Sequence, residues 1–79
     1  MKLVLTTAEW CGPCKGVKEQ ISKNNYDVEI KDFDNDKEFF KDHGIKTVPT
    51  LLVFDGDNLV SKVNGTDAIL NVIKENQVN

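Results

Sequence analysis

Cys11 and Cys14 are the only cysteines of the chain, and Gly12 and Pro13 lie between them. A bridge between two such close cysteines constrains little of the unfolded chain, because disulfide stabilisation grows with the length of the loop closed. The pair therefore serves reactivity or metal binding rather than stapling. Thiol–disulfide exchange needs two thiols of unequal character within bonding reach, whereas tetrahedral zinc needs four ligands. His43, the one histidine, adds at most a third ligand and the sequence holds no second cysteine pair. No resident metal is expected, and a cluster shared between two copies is the metal-carrier alternative.

The inequality of the two thiols follows from where a strand gives way to a helix. Lys2 to Thr7 contains the unbroken apolar run Leu3-Val4-Leu5, which predicts a central strand covered on both faces. Pro13 suits a first helical turn, and Cys14, Val17 and Ile21 recur on one face of a helix predicted to run to about Lys23 and stop at Asn24-Asn25. Cys11 then falls at the helix N-terminus, where unpaired N–H groups and the helix dipole stabilise a thiolate and lower a cysteine pKa from about 8.5 towards 7 or below. Cys14, one turn inside, is more shielded and stays protonated longer, with its sulfur within bridging distance. Cys11 is thus the expected nucleophile and Cys14 the resolving thiol. Gly12 allows a close backbone approach, Pro13 fixes φ and removes a competing N–H, and Trp10 offers a flat apolar shoulder for docking. Cys11 attacks a substrate disulfide, and Cys14 then attacks Cys11 sulfur and releases the reduced substrate.

The remaining elements follow from periodicity and turn residues. Tyr26 to Ile30 alternates as a strand near a sheet edge. Asn35 followed by Glu38 suggests a capped short helix carrying Phe39 and Phe40, with His43 in its last turn and Gly44 as its left-handed stop. Thr50 to Phe54 is a second apolar strand entered from Pro49, Asp55-Gly56-Asp57-Asn58 a hairpin turn, and Leu59 to Val63 an alternating strand. Asn64-Gly65 breaks it, and Thr66 is expected to cap a final helix bearing Ile69, Leu70, Val72 and Ile73. The order βαβαββα combines a right-handed parallel crossover with an antiparallel hairpin, so a four-stranded mixed sheet with helices on both faces is expected. At 79 residues this is one α/β domain spanning 1–79, without repeat or linker.

Composition narrows the partners. With 39% hydrophobic and 29% charged residues the chain suits a soluble globular protein. Its net charge of −3 supplies no field for a phosphate backbone, so no nucleic-acid partner is expected. The longest apolar run, Leu51-Leu52-Val53-Phe54, is far short of the roughly 20 residues that span a bilayer, so no membrane is expected either. The N-terminus carries no stretch like a signal peptide's apolar region, and a cytoplasmic location is expected.

The segment Ala8-Glu9-Trp10-Cys11-Gly12-Pro13-Cys14-Lys15 resembles the thioredoxin active-site motif, and Thr47-Val48-Pro49-Thr50 resembles the cis-proline turn of that superfamily. The resemblance spans essentially the whole chain. It implies the thioredoxin fold, Trp10, Gly12, Pro13 and Lys15 as supports of the dithiol, and a cis Val48-Pro49 bond beside it. Thr47, Val48 and Pro49 would then bind substrate, with the Val48 backbone pairing with a client segment. It also implies a monomer that reduces disulfide-containing client proteins, is recharged by a flavin-dependent thioredoxin reductase using NADPH, and has no cofactor beyond the redox-active disulfide. The chain departs from the family in starting at the strand before the motif, a size similar to the glutaredoxin minimum. Leu5 stands where thioredoxins bury an aspartate six residues before the first cysteine, and Ile30 stands where its lysine partner is usual. Cys14 is then expected to give up its proton to water or to a polar neighbour such as Thr6 or Thr7. Thr47-Val48-Pro49 and Asn64-Gly65-Thr66-Asp67 also resemble stretches with which glutaredoxins hold glutathione. A glutathione-dependent oxidoreductase is the alternative reading.

Other residues carry blander expectations. His43 before Gly44 reads as favourable charge at a helix C-terminus, against the sharper reading of a base for Cys11 in a cysteine hydrolase. Phe33, Phe39, Phe40 and Phe54 read as core, with Trp10 outside. The five acidic residues between Asp32 and Asp42 read as a solvated face that steers a basic partner. Gly12, Pro13 and the absence of an export signal favour a reductant with a potential of about −270 mV.

Overall fold

The computed structural model describes residues 1–77, and the last two residues of the expected 1–79 domain lie outside the described residues. Seven elements follow the expected order: β1 (Lys2–Thr7), α1 (Gly12–Lys23), β2 (Glu29–Asp32), α2 (Lys37–Asp42), β3 (Thr50–Asp55), β4 (Asn58–Asn64) and α3 (Thr66–Glu75). The four strands form one mixed sheet in the order β2-β1-β3-β4, with β1 parallel to β2 and antiparallel to β3, and β3 antiparallel to β4.

The apolar run of β1 divides by parity between two layers, as side chains of a strand must. Leu3 and Leu5 face Val17 and Ile21 of α1 and Ile69 and Ile73 of α3, together with Leu51 and Val53 of β3. Val4 and Leu52 face the other way, onto Phe40 of α2 and Ile45. Both faces of the central strands are therefore covered, which is why neither Leu3-Val4-Leu5 nor Leu51-Leu52-Val53 alternates with polar residues. Gly44 and Gly56 take φ values of 63° and 62°, a region that a side chain disfavours, and thereby end α2 and turn the β3–β4 hairpin.

Three local expectations are corrected. The second strand begins at Glu29 rather than Tyr26, because Tyr26 and Val28 pack onto the α1/α3 layer from the loop while ladder pairing starts at Val4 and Glu29. Asn35 does not cap α2. Asp36 occupies that position without a side-chain cap bond, its carboxylate accepting instead from the Asp32 N–H at 3.0 Å. Thr66 is the first residue of α3 rather than its cap, a place taken by Gly65 with φ 91°. The alternation of Leu59 to Val63 buries little: β4 is an edge strand whose residues are exposed apart from the half-buried Val63.

Candidate active site

β1 ends at Thr7, and after four intervening residues the chain re-enters regular structure as α1. The turn between them is closed by the Cys11 N–H donating to the Ala8 carbonyl at 3.1 Å. Cys11 becomes the N-cap of α1, with extended backbone angles of φ −91° and ψ 111°. Its side chain performs the capping that a serine or aspartate performs elsewhere, because the Cys14 N–H donates to Cys11 Sγ at 3.3 Å. The same N–H and the positive end of the helix dipole would face a thiolate at that sulfur once the bond is reduced.

Cys11 and Cys14 are joined in a disulfide with Cα atoms 5.3 Å apart. Cys14 is wholly buried, whereas Cys11 retains 6% exposure, so a partner reaches Cys11 first. The pair packs with Ala8 and Val48. Val48 belongs to the loop before β3, where the Val48–Pro49 peptide bond is cis and Pro49 is buried. This loop carries the Val48 carbonyl oxygen to 3.7 Å from Cys11 Sγ.

Trp10 lies outside, 68% exposed, with its ring edge-on to Phe33 at 6.2 Å. Gly12, Pro13 and Lys15 occupy the exposed first turn of α1. A Cβ on Gly12 would meet nothing within 4 Å, so this chain's own packing does not require the glycine, and the space beside the dithiol is open to another molecule. Thr47 is exposed, and its carbonyl accepts from the Thr50 hydroxyl at 2.7 Å.

Two neighbours take parts other than those expected of them. Asn64, at the end of β4, donates from Nδ2 to the hydroxyls of Thr47 at 3.2 Å and Thr50 at 2.8 Å, and so ties the proline loop to the sheet. Nothing local marks this role, since its partners are 17 and 14 residues away. Phe33, expected in the core, is 38% exposed and links Trp10 to the buried Phe40, whose ring lies at 5.4 Å. Its flanking residues Asp32 and Asp34 were the available signal. Phe39 and Phe54 are likewise only half-buried.

The expectations for other polar residues separate cleanly. His43 caps the end of α2, with Nδ1 3.0 Å from the Phe39 carbonyl oxygen and its ring against Phe39 and Phe54. It shares a recess with Lys2 and Val4, at the start of β1 and so away from the dithiol beyond that strand's end. Leu5 is fully buried and pairs in register with Ile30, which is 40% exposed. Thr6 donates its hydroxyl to the Thr50 carbonyl at 2.7 Å. Thr7 has a buried hydroxyl with no hydrogen-bond partner among the described residues. Among the described residues no three histidine, cysteine or acidic side chains gather as metal ligands, and no helix is long and apolar enough to cross a membrane.

A four-stranded mixed sheet with a Cys11–Cys14 disulfide at a helix N-terminus and a cis proline in the loop beside it is the arrangement of the thioredoxin fold. The sequence profile of the family described as Thioredoxin matches residues 1–75, and the chain belongs to that family. It is 33% identical over 64 residues to Thioredoxin 1 of Nostoc sp., an alignment covering 73% of this chain and 60% of that protein. It is 35% identical over 63 residues to the chloroplastic F-type thioredoxin of Pisum sativum, covering 72% of this chain and 35% of the relative. The chain thus spans less than two thirds of the length of either relative. The solution structure of oxidised thioredoxin from Plasmodium falciparum superposes with a TM-score of 0.70 at 28% identity, covering 98% of this chain and 83% of that one.

Proposed function

We propose that the chain is a protein-disulfide reductase of thioredoxin type that exchanges disulfides through Cys11 and Cys14. The observation that carries this reading is the dithiol itself: a closed Cys11–Cys14 pair capping α1, with the less buried sulfur beside the Val48 carbonyl. In the reduced protein the Cys11 thiolate attacks a client disulfide, and the first client sulfur leaves and takes up a proton. Cys14 then loses its proton as its sulfur attacks Cys11 Sγ, and the second client sulfur leaves and is protonated. Two electrons pass from the dithiol to the client, and the Cys11–Cys14 bond closes.

The surroundings fit these steps. The client lies over Gly12 and against Trp10, and an extended client segment pairs with the Val48 backbone in the loop held by Thr47 and Pro49. Pro13 stiffens the first turn, and Lys15 adds positive charge near the thiolate. The dithiol is the only redox group in this reading, no metal, nucleic acid or membrane takes part, and the protein acts as a monomer in the reducing cytoplasm. Electrons come from a flavin-dependent thioredoxin reductase.

The test is reduction of an insulin-type disulfide with dithiothreitol as donor, and then with NADPH and thioredoxin reductase. Turnover with both supports the proposal, and failure with dithiothreitol overturns it. Turnover with NADPH, glutathione and glutathione reductase in place of thioredoxin reductase identifies the glutathione-dependent alternative.

A further inference from the structure

Thr7 is 1% exposed, and its hydroxyl is a buried side-chain polar atom that finds no hydrogen-bond partner among the described residues. A buried hydroxyl without a partner is costly, and most folds avoid it. Its position shows what it is near. Leu3 and Leu5 of β1 share one core cluster with Val17 and Ile21 of α1. Thr7 is the next residue of that parity, towards the end of β1 where the dithiol turn begins. α1 runs back along the strand, so the next residue on its buried face beyond Val17, towards its N-terminus, is Cys14. Thr7 and Cys14 therefore continue the rows that Leu3, Leu5, Val17 and Ile21 begin. The adjoining Ala8 packs directly on both cysteines.

Thr6 cannot substitute for it. Its hydroxyl is committed to the Thr50 carbonyl at 2.7 Å, and its parity is that of Val4, which faces the α2 layer. Leu5, one step down the same row as Thr7, supplies no polar atom.

We infer that the Thr7 hydroxyl is a positioning residue for the resolving thiol, unpaired while Cys14 is held in the disulfide and hydrogen-bonded to Cys14 sulfur once that bond opens. This inference rests on the dithiol reading above and deepens it. In a disulfide the two sulfurs are held at about 2 Å. When two electrons break that bond they retreat to non-bonded contact, and Cys14 sulfur gains a proton or a charge. The hydroxyl can accept from the thiol or donate to the thiolate, and a hydrogen bond to a charged acceptor is the stronger of the two. Thr7 does not take the proton. It stabilises the Cys14 thiolate that attacks Cys11 Sγ, and the proton goes to the departing client sulfur through solvent.

Two measurable asymmetries follow. The unsatisfied hydroxyl burdens the oxidised form alone, so Thr7 favours the dithiol and makes the couple a weaker reductant. It also speeds the second chemical step and not the first. Thr7→Val keeps the shape and removes the hydroxyl, and Thr7→Ser keeps the hydroxyl.

The test measures the midpoint of the couple in dithiothreitol redox buffers for the wild type and both variants. In parallel, single-turnover release of client from the preformed Cys11 mixed disulfide is followed. The expected result for Thr7→Val is a shift of about tenfold towards the disulfide, equivalent to a midpoint about 30 mV more negative, with release slowed about tenfold. Thr7→Ser is expected to behave as the wild type, and formation of the mixed disulfide to be equally fast in all three. A Thr7→Val protein with unchanged midpoint and release overturns the inference, as does a Thr7→Ser protein that matches Thr7→Val. A wild-type protein with no reversible couple overturns the dithiol reading instead. Should Thr7→Val fail to fold, a Thr7→Ser midpoint and release rate equal to wild type supports the inference, and the absence of any shift in Thr7→Ala overturns it.

Discussion

At the scale of single residues, the two sulfurs differ in access and in what contacts them. Cys11 caps a helix and accepts from an N–H, while Cys14 is wholly buried in a small cluster with Ala8 and Val48. Cys11→Ser is expected to abolish turnover. Cys14→Ser is expected to stop after the first step and accumulate mixed disulfides with client proteins, visible as client-sized adducts on non-reducing gels. Normal turnover of Cys14→Ser on protein disulfides would sink the dithiol route. Leu5 gives a second test. It lies fully buried in the layer formed with Val17 and Ile69, and its ladder partner Ile30 offers no charge. Leu5→Asp would place a carboxyl there without a partner, and a loss of about 3 kcal/mol or more is expected in urea unfolding at neutral pH. Burial would raise that carboxyl's pKa above its unfolded value of about 3.9, so the folded state would hold the proton longer. The loss should therefore shrink as pH falls through the raised value towards 4, the opposite of a salt-bridged aspartate. A loss independent of pH would contradict this account.

At the scale of elements, the site depends on a loop held from elsewhere in the chain. The Asn64 carboxamide at the end of β4 holds the hydroxyls of Thr47 and Thr50, which flank Val48 and the cis proline. Asn64→Ala is expected to raise KM for a protein disulfide several-fold while leaving the rate with a small aromatic disulfide unchanged, since only an extended client uses the Val48 backbone. Equal effects on both substrates would show that the brace acts on the dithiol and not on client binding. Much of this arrangement was legible in the residues. The apolar runs of β1 and β3 and the Gly44 stop behaved as their patterns implied, because burial on both faces and a positive φ leave direct marks on composition. The start of β2 and the caps of α2 and α3 did not. Tyr26 and Val28 alternate like a strand but satisfy their burial from a loop, and Asp36 spends its carboxylate on the Asp32 N–H.

For the whole molecule, a bridge spanning four residues of chain contributes at most about 2 kcal/mol by loop-closure entropy. The core lies instead in two layers on either side of the sheet, with the two cysteines and Ala8 in a separate small cluster that Val48 joins to the α2 layer. Reduction is therefore expected to leave the far-ultraviolet circular dichroism unchanged and to lower the urea midpoint only modestly. Unfolding on reduction would mean that the disulfide is structural and not a reagent. Asp32 and Asp34 of the acidic segment flank Phe33, whose ring meets Trp10. Reduction of a basic client is expected to slow as salt rises from 20 to about 200 mM, as steering is screened. An acidic client should show no such loss.

The proposed chemistry was legible in the sequence alone, because two cysteines separated by Gly12 and Pro13, following a strand and opening a helix, leave few other uses for the thiols. The element order and the two-faced burial of the central strands were equally local, written in runs and turns a few residues long. Tertiary structure alone decided what surrounds the sulfurs. Val48 reaches Cys11 from 37 residues away, Asn64 braces that loop across the sheet, and Thr7 finds no partner among the described residues while Thr6 is satisfied by Thr50. Each of these depends on strand register and on which face a side chain occupies, quantities set by the packing of the whole sheet and not by any short stretch of chain.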